Sequence, residues 1–128
     1  MKISDDLVQK LSNAGTMASF AGLPAQGKTI MAGVRAVRPD NIHAAMGHAI
    51  ALINANEMEH AIGILEQSVL SISPDNLQAK CFLGFALKQA GREEEGQWHL
   101  QDVLARCGDE HPAEKEMAEL FLTSPEAT

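Results

Sequence analysis

A chain of 128 residues, 45% of them hydrophobic, has apolar material for one core and too little for a second. Its formal net charge of −7, from 17 Asp and Glu against 10 Lys and Arg, disfavours a phosphate-rich partner. Without a basic cluster, nothing would displace counterions from a nucleic acid or hold an anionic membrane.

Apolar residues recur at helical spacing along almost the whole length. The first periodic segment covers 5–20, with Leu7, Leu11, Ala14 and Ala18 on one face, and Gly22-Leu23-Pro24 ends it. Further helices are predicted at 25–37, 42–53, 57–72, 77–90 and 93–106. Asn54-Ala55-Asn56 and Gly91-Arg92 break the pattern between the members of the two later pairs. Pro112 opens a seventh, amphipathic helix through Leu122, and 123–128 read as a flexible tail. With no Tyr, few Val and no alternating run, there is little material for a sheet. The expected fold is all-α, one domain over residues 1–122. No apolar run approaches the roughly 18 residues that span a bilayer, so no membrane insertion is expected. The opening Met1-Lys2-Ile3-Ser4-Asp5-Asp6 lacks the layout of a secretory signal, so the expected compartment is the cytoplasm.

Arg38-Pro39-Asp40-Asn41 recurs as Ser73-Pro74-Asp75-Asn76, which places Pro74 35 positions after Pro39. Each copy separates two periodic segments, with Pro ending one helix and Asp or Asn capping the next. A helical pair of about 34 residues with small residues at the helix crossings resembles the tetratricopeptide repeat. Three divergent repeats start near Val8, Ile42 and Leu77, and the segment after Pro112 serves as a capping helix. Gly15 and Gly27, Ala49 and Ala61, and Gly84 and Gly96 fall at the family's small positions. Leu65 takes the following large apolar place in the second repeat, and Leu83, Leu87, Leu100 and Val103 complete the third. The family's early Trp is replaced by Leu11, Ala45 and Lys80, its Tyr by Ala18, Leu52 and Leu87, and the middle repeat carries one extra residue.

The tetratricopeptide resemblance implies an inner, concave surface built from the second, fifth, ninth and twelfth positions of each first helix. These are His43, Met46, Ile50 and Ile53 in the second repeat and Gln78, Cys81, Phe85 and Lys88 in the third. Gln9, Ser12, Thr16 and Ser19 give the first repeat a more polar end. Such a groove suits an amphipathic helix of a partner protein.

Chemistry finds little support. Cys81 and Cys107 form no C-x-x-C and read as reduced core thiols, and the five histidines lack metal-ligand spacing. Gly22-Leu-Pro-Ala-Gln-Gly27-Lys28-Thr29 fits the P-loop string G-x-x-x-x-G-K-[ST], but that loop needs a strand before it and an acidic magnesium partner, and neither is apparent. Glu57, Glu59 and Glu93-Glu94-Glu95 stand at predicted helix starts, where they complement the helix dipole. Asp109, Glu110 and His111 have no nucleophile nearby. No catalytic, cofactor-binding or metal-binding residue is assigned, and a P-loop nucleotide binder is the least favoured alternative.

Gly33-Val-Arg-Ala-Val-Arg-Pro39 and Leu77-Gln-Ala-Lys-Cys-Phe-Leu-Gly-Phe-Ala-Leu-Lys-Gln-Ala-Gly91, followed by Trp98 and Leu104, resemble the tetratricopeptide-type chaperones of bacterial type III secretion. The closer resemblance is to the small proteins of this type that include the needle-subunit chaperones and their Hrp-type relatives. The resemblance implies a cytosolic protein that cradles a secretion substrate such as the needle subunit before export, in some cases with a small helical co-chaperone. A general tetratricopeptide adaptor is the alternative, and self-association of the unliganded chain stays open. Trp98 is expected to pack against the terminal helix, with an exposed anchor as the alternative.

Overall fold

A computed structural model describes residues 24–37 and 40–123 of the chain. The helix expected at 5–20, with Gly15, Gln9, Ser12, Thr16 and Ser19, lies outside the described residues, as do Gly22, Pro39 and the tail beyond Thr123. The described residues form an all-α array of helical hairpins and contain no strand. In order these are α1 (Pro24–Val37), α2 (Ile42–Asn54), α3 (Met58–Ile64), α4 (Leu77–Gln89), α5 (Glu93–Cys107) and α6 (Pro112–Leu122). α3 runs directly into one π-helical turn, Leu65–Val69, in which the Leu70 N–H donates to the Leu65 carbonyl at 2.9 Å. The helix expected over 57–72 therefore closes early and wide.

The repeated Pro-Asp-Asn motif acts through its asparagine. Asn41 and Asn76 are the N-caps of α2 and α4, each accepting at 3.0 Å from the backbone N–H three residues on, Ala44 and Ala79. A cap of this kind contributes about 1 kcal/mol. The two hairpin turns also match. Glu57 N–H donates back to Leu52 and Arg92 N–H back to Leu87, both at 2.8 Å, and this closure needs a left-handed residue just before the donor. Asn56 (φ 63°) and Gly91 (φ 89°) supply it at the same offset from their helix starts.

Each helix packs on its neighbours in sequence, and α6 lies against both α4 and α5. The main core joins Leu52, Leu65, Val69, Leu83 and Leu87, all fully buried, across α2, α3, the π turn and α4. Large side chains of this type stabilise by about 1.5–3 kcal/mol each. Ala45, Ala49, Ala61, Ala79 and Ala86 line the same cluster and let the helices approach closely. Met31 and Val34 of α1 pack on Ala44 and Ala51 of α2. α4 and α5 approach each other closely. A Cβ on Gly84 would stand 2.9 Å from the Gly96 carbonyl oxygen, and a Cβ on Gly96 would stand 2.5 Å from that of Gly84. The two glycines assigned to a helix crossing do mark one. Beside it Lys80, where the repeat family has Trp, is nearly buried and pairs with Asp102.

A candidate helix-binding face covered by α6

α2 and α4 stand side by side in the array, and the eight residues expected on their inner faces divide by burial. His43 and Gln78 are exposed, and Phe85 is half-buried. Met46, Ile50, Ile53, Cys81 and Lys88 are all less than 9% exposed. Met46, Ile50 and Ile53 belong to the main core, whose partly buried margin includes Phe85 of α4 and Met117 and Phe121 of α6. The sequence suggested an open apolar groove. At its α4 end the face is instead occupied, because an apolar stripe near the end of an array is covered by whatever apolar helix the chain itself supplies.

α6 supplies that helix. Its Phe121 ring lies 4.7 Å from that of Phe85 and 5.9 Å from that of Phe82. Under its first turn the Cys81 thiol donates to the Glu114 carbonyl at 3.6 Å, and burial pushes that thiol's pKa up to about 12. At the other end the Lys88 ammonium, 1% exposed, donates to the carbonyls of Phe121 (2.8 Å) and Leu122 (3.1 Å), with Glu93 Oε1 at 3.6 Å. A lysine read as a contact for an outside partner thus holds the C-terminal end of α6, where the carbonyl dipoles favour a cation. Spacing grouped Lys88 with Cys81 and Phe85, and all three meet α6. The countercharge of Lys88, Glu93, is five residues away, but the carbonyls that accept from it lie 33 and 34 residues further on.

The P-loop string forms no phosphate cradle from Pro24 onward, because it is the start of α1. Gly27 is buried, the Thr29 hydroxyl donates to Ala25 of its own helix, and Lys28 pairs with Glu57 at 2.5 Å, lowering that carboxyl's pKa. Magnesium-ATP at millimolar concentration is expected to give no saturable heat in calorimetry. Lys28→Ala is expected to leave stability nearly unchanged, since both partners are substantially exposed. Micromolar ATP affinity abolished by that substitution would restore the nucleotide-binding alternative.

Two further features concern Trp98, whose burial the sequence left open, and His48, which it did not single out. Trp98 does not pack against the terminal helix, since it is 60% exposed. The spacing carried the signal: Gly96, Leu100, Val103 and Cys107 form the buried stripe of α5, and Glu94, Trp98, Gln101 and Ala105 run along its opposite side. The second is His48, 8% exposed and edge-on to His60 at 5.6 Å. Burial, then Arg35 and His60, lower its pKa to about 4. Because the unfolded chain titrates this group near 6.5, it binds the proton first, so the contribution is complete above pH 6.5 and is lost as pH falls toward 4. Urea unfolding at pH 5 is expected to show about 2 kcal/mol less stability than at pH 7, with His48→Gln removing most of the difference. His99, lowered chiefly by burial, acts in the same direction. An unchanged slope in His48→Gln would assign the dependence elsewhere.

No group of His, Cys, Asp and Glu among the described residues could hold a metal ion, and no described helix is long and apolar enough to cross a membrane. Compared with known protein families and curated proteins, the chain matches no family model and no curated sequence.

Proposed function

We propose that this chain is a chaperone or adaptor that holds an amphipathic helix of another protein against α2 and α4. The observation that carries the reading is that the α4 face already accepts such a helix. α6 brings Met117, Ala118, Phe121 and Leu122 to it, an i, i+1, i+4, i+5 stripe, yet only Ala118 among its residues is fully buried. Leu120 is 64% exposed. A partner helix with a longer apolar stripe gains by replacing α6 or by continuing its row toward His43.

Among proteins of this build, the resemblance to type III secretion chaperones favours a cytosolic role. The bound helix would belong to a self-assembling secretion substrate such as the needle subunit, with a small helical co-chaperone as a further partner. Covering the substrate's apolar face would hold it unpolymerised until export. A general adaptor would use the same face and differ only in what it holds. Co-expression with the secretion components of its own genome, followed by affinity capture and mass spectrometry, separates the two.

Phe85 is the residue on which the reading is best tested. Phe85→Asp is expected to leave circular dichroism nearly unchanged, because the side chain is half-buried and loses mainly its contact with Phe121. Capture of the partner helix is expected to fall at least about 100-fold, since desolvating a carboxylate against an apolar helix costs about 3 kcal/mol. Retained capture would remove this face from the proposal. Ile50→Asp does not serve as a second test: Ile50 is core, and the variant is expected to unfold.

A further inference from the structure

α5 presents a surface that the helix-binding reading leaves unused. Glu94, Glu95, Trp98 and His99 line a shallow hollow of about 390 Å³ on the side of α5 turned away from α6. Trp98 is the chain's single tryptophan and is 60% exposed. Its indole meets the His99 ring edge-on at 5.0 Å, which braces it and leaves the ring available to a ligand. Exposing so large an aromatic surface forgoes a sizeable burial energy, and tryptophan is prominent among residues that anchor interfaces.

The charges around the indole select the ligand. Glu94 is exposed, and Glu95 meets Arg92 at 3.3 Å, while Arg92 also meets Glu59 at 3.4 Å. Glu66 of the π turn is near enough to act on both Arg92 and His99. Lys80, the other cation beside His99, is taken up by Asp102. Burial keeps His99 neutral at pH 7, so it adds no repulsion. Among the described residues, carboxylates therefore outnumber free cations around an exposed indole, on a chain of net charge −7. Phosphate-bearing ligands are repelled. A guanidinium can stack on the indole and form paired hydrogen bonds with a carboxylate, which an ammonium does less well.

We propose that the outer face of α5 is a docking surface for a basic, arginine-bearing segment of a partner protein, with the guanidinium over Trp98 and its N–H groups donating to Glu94 and Glu95. This face lies opposite the buried stripe of α5, so the segment and a helix on α4 bind together without competing.

The test uses the full chain and an end-blocked peptide of alternating glycine and arginine, with glutamine-containing and glutamate-containing peptides of equal length as controls. Because there is one tryptophan, fluorescence reports this site alone. The arginine peptide is expected to give a saturable change that weakens with added salt, and the controls none. In calorimetry, Trp98→Ala and the Glu94→Gln/Glu95→Gln double variant are each expected to bind at least about fivefold more weakly. Phe85→Asp is expected to bind the peptide unchanged, so loss of the helix-binding face and loss of this one are read separately. An equal response to the glutamine peptide, or undiminished affinity in Trp98→Ala, would overturn the proposal by reducing the effect to general attraction between a basic peptide and an acidic chain. A fluorescence change that tracks protein concentration without peptide would overturn it too, by assigning the face to a second copy.

Discussion

Gly84→Leu is expected to abolish cooperative folding. A Cβ at this position would lie 2.7 Å from Leu100 Cγ and 2.9 Å from the Gly96 carbonyl oxygen. The first neighbour is a fully buried core side chain, and the second is backbone that moves only if α5 moves. A leucine must force the two helices apart at their closest approach, opening the contacts of Leu83, Leu87, Leu100 and Val103 together. Overpacking costs about 1–3 kcal/mol where a core can yield. Here both sides of the crossing are fixed, and the loss falls on a domain whose total stability is on the order of 5–15 kcal/mol. Even Gly84→Ala and Gly96→Ala are expected to destabilise, against the usual gain of about 1 kcal/mol when alanine replaces a glycine within a helix. Gly33 and Gly63 provide the control, because a Cβ at either meets nothing within 4 Å. Alanine there is expected to raise the urea midpoint. If all four alanine variants moved it in the same direction, the close crossing would not be what those glycines are for.

Lys88→Glu is expected to release α6 while leaving the rest of the array folded. A carboxylate would replace the ammonium against the Phe121 and Leu122 carbonyls and stand beside Glu93, turning an attractive helix end into a repulsive one. Cys81 reports the event. Covered by α6, its thiol is inaccessible and held near pKa 12, so at pH 8 almost none is thiolate. Exposure returns it toward an ordinary thiol value near 8.5, and labelling by a disulfide reagent is expected to rise by roughly three orders of magnitude. Cys107→Ser removes the second thiol and leaves a single readout. Lys88→Met keeps the bulk that packs at Gly96 and discards only the charge, so its effect is expected to be smaller. Labelling of Lys88→Glu as slow as that of the parent would mean that the ammonium is not what holds α6.

The helices, their hairpin order and their asparagine caps were legible because they depend on neighbours three to five residues apart. Boundaries agree within one or two residues for α1, α2, α4, α5 and α6. The crossing glycines were found by aligning repeats, since Gly84 and Gly96 lie on different helices and only the register relates them. Long-range compensation could not be read. Lys88 was placed on an inner face as a groove residue because spacing reports direction and is silent about cover, and its cover is α6. For Trp98 residue type left burial and exposure open, and its place opposite the stripe of Gly96, Leu100, Val103 and Cys107 decides for exposure.

The π turn explains how an uneven sequence yields even architecture. Each residue of an α-helix advances the direction of its side chains by about 100°, so one additional residue would put everything after it out of phase. Counted against a 34-residue repeat, the stretch from Ile42 to Asn76 holds one such residue. α3 absorbs it by widening one turn, a known way for a helix to take an insertion. Leu65 and Val69 stay fully buried through the widened stretch, and Asn76 then caps α4 with the same 3.0 Å bond that Asn41 makes for α2. The insertion is cancelled inside the helix before it reaches the next hairpin. α4 is capped as α2 is, although the two helix starts stand 35 residues apart.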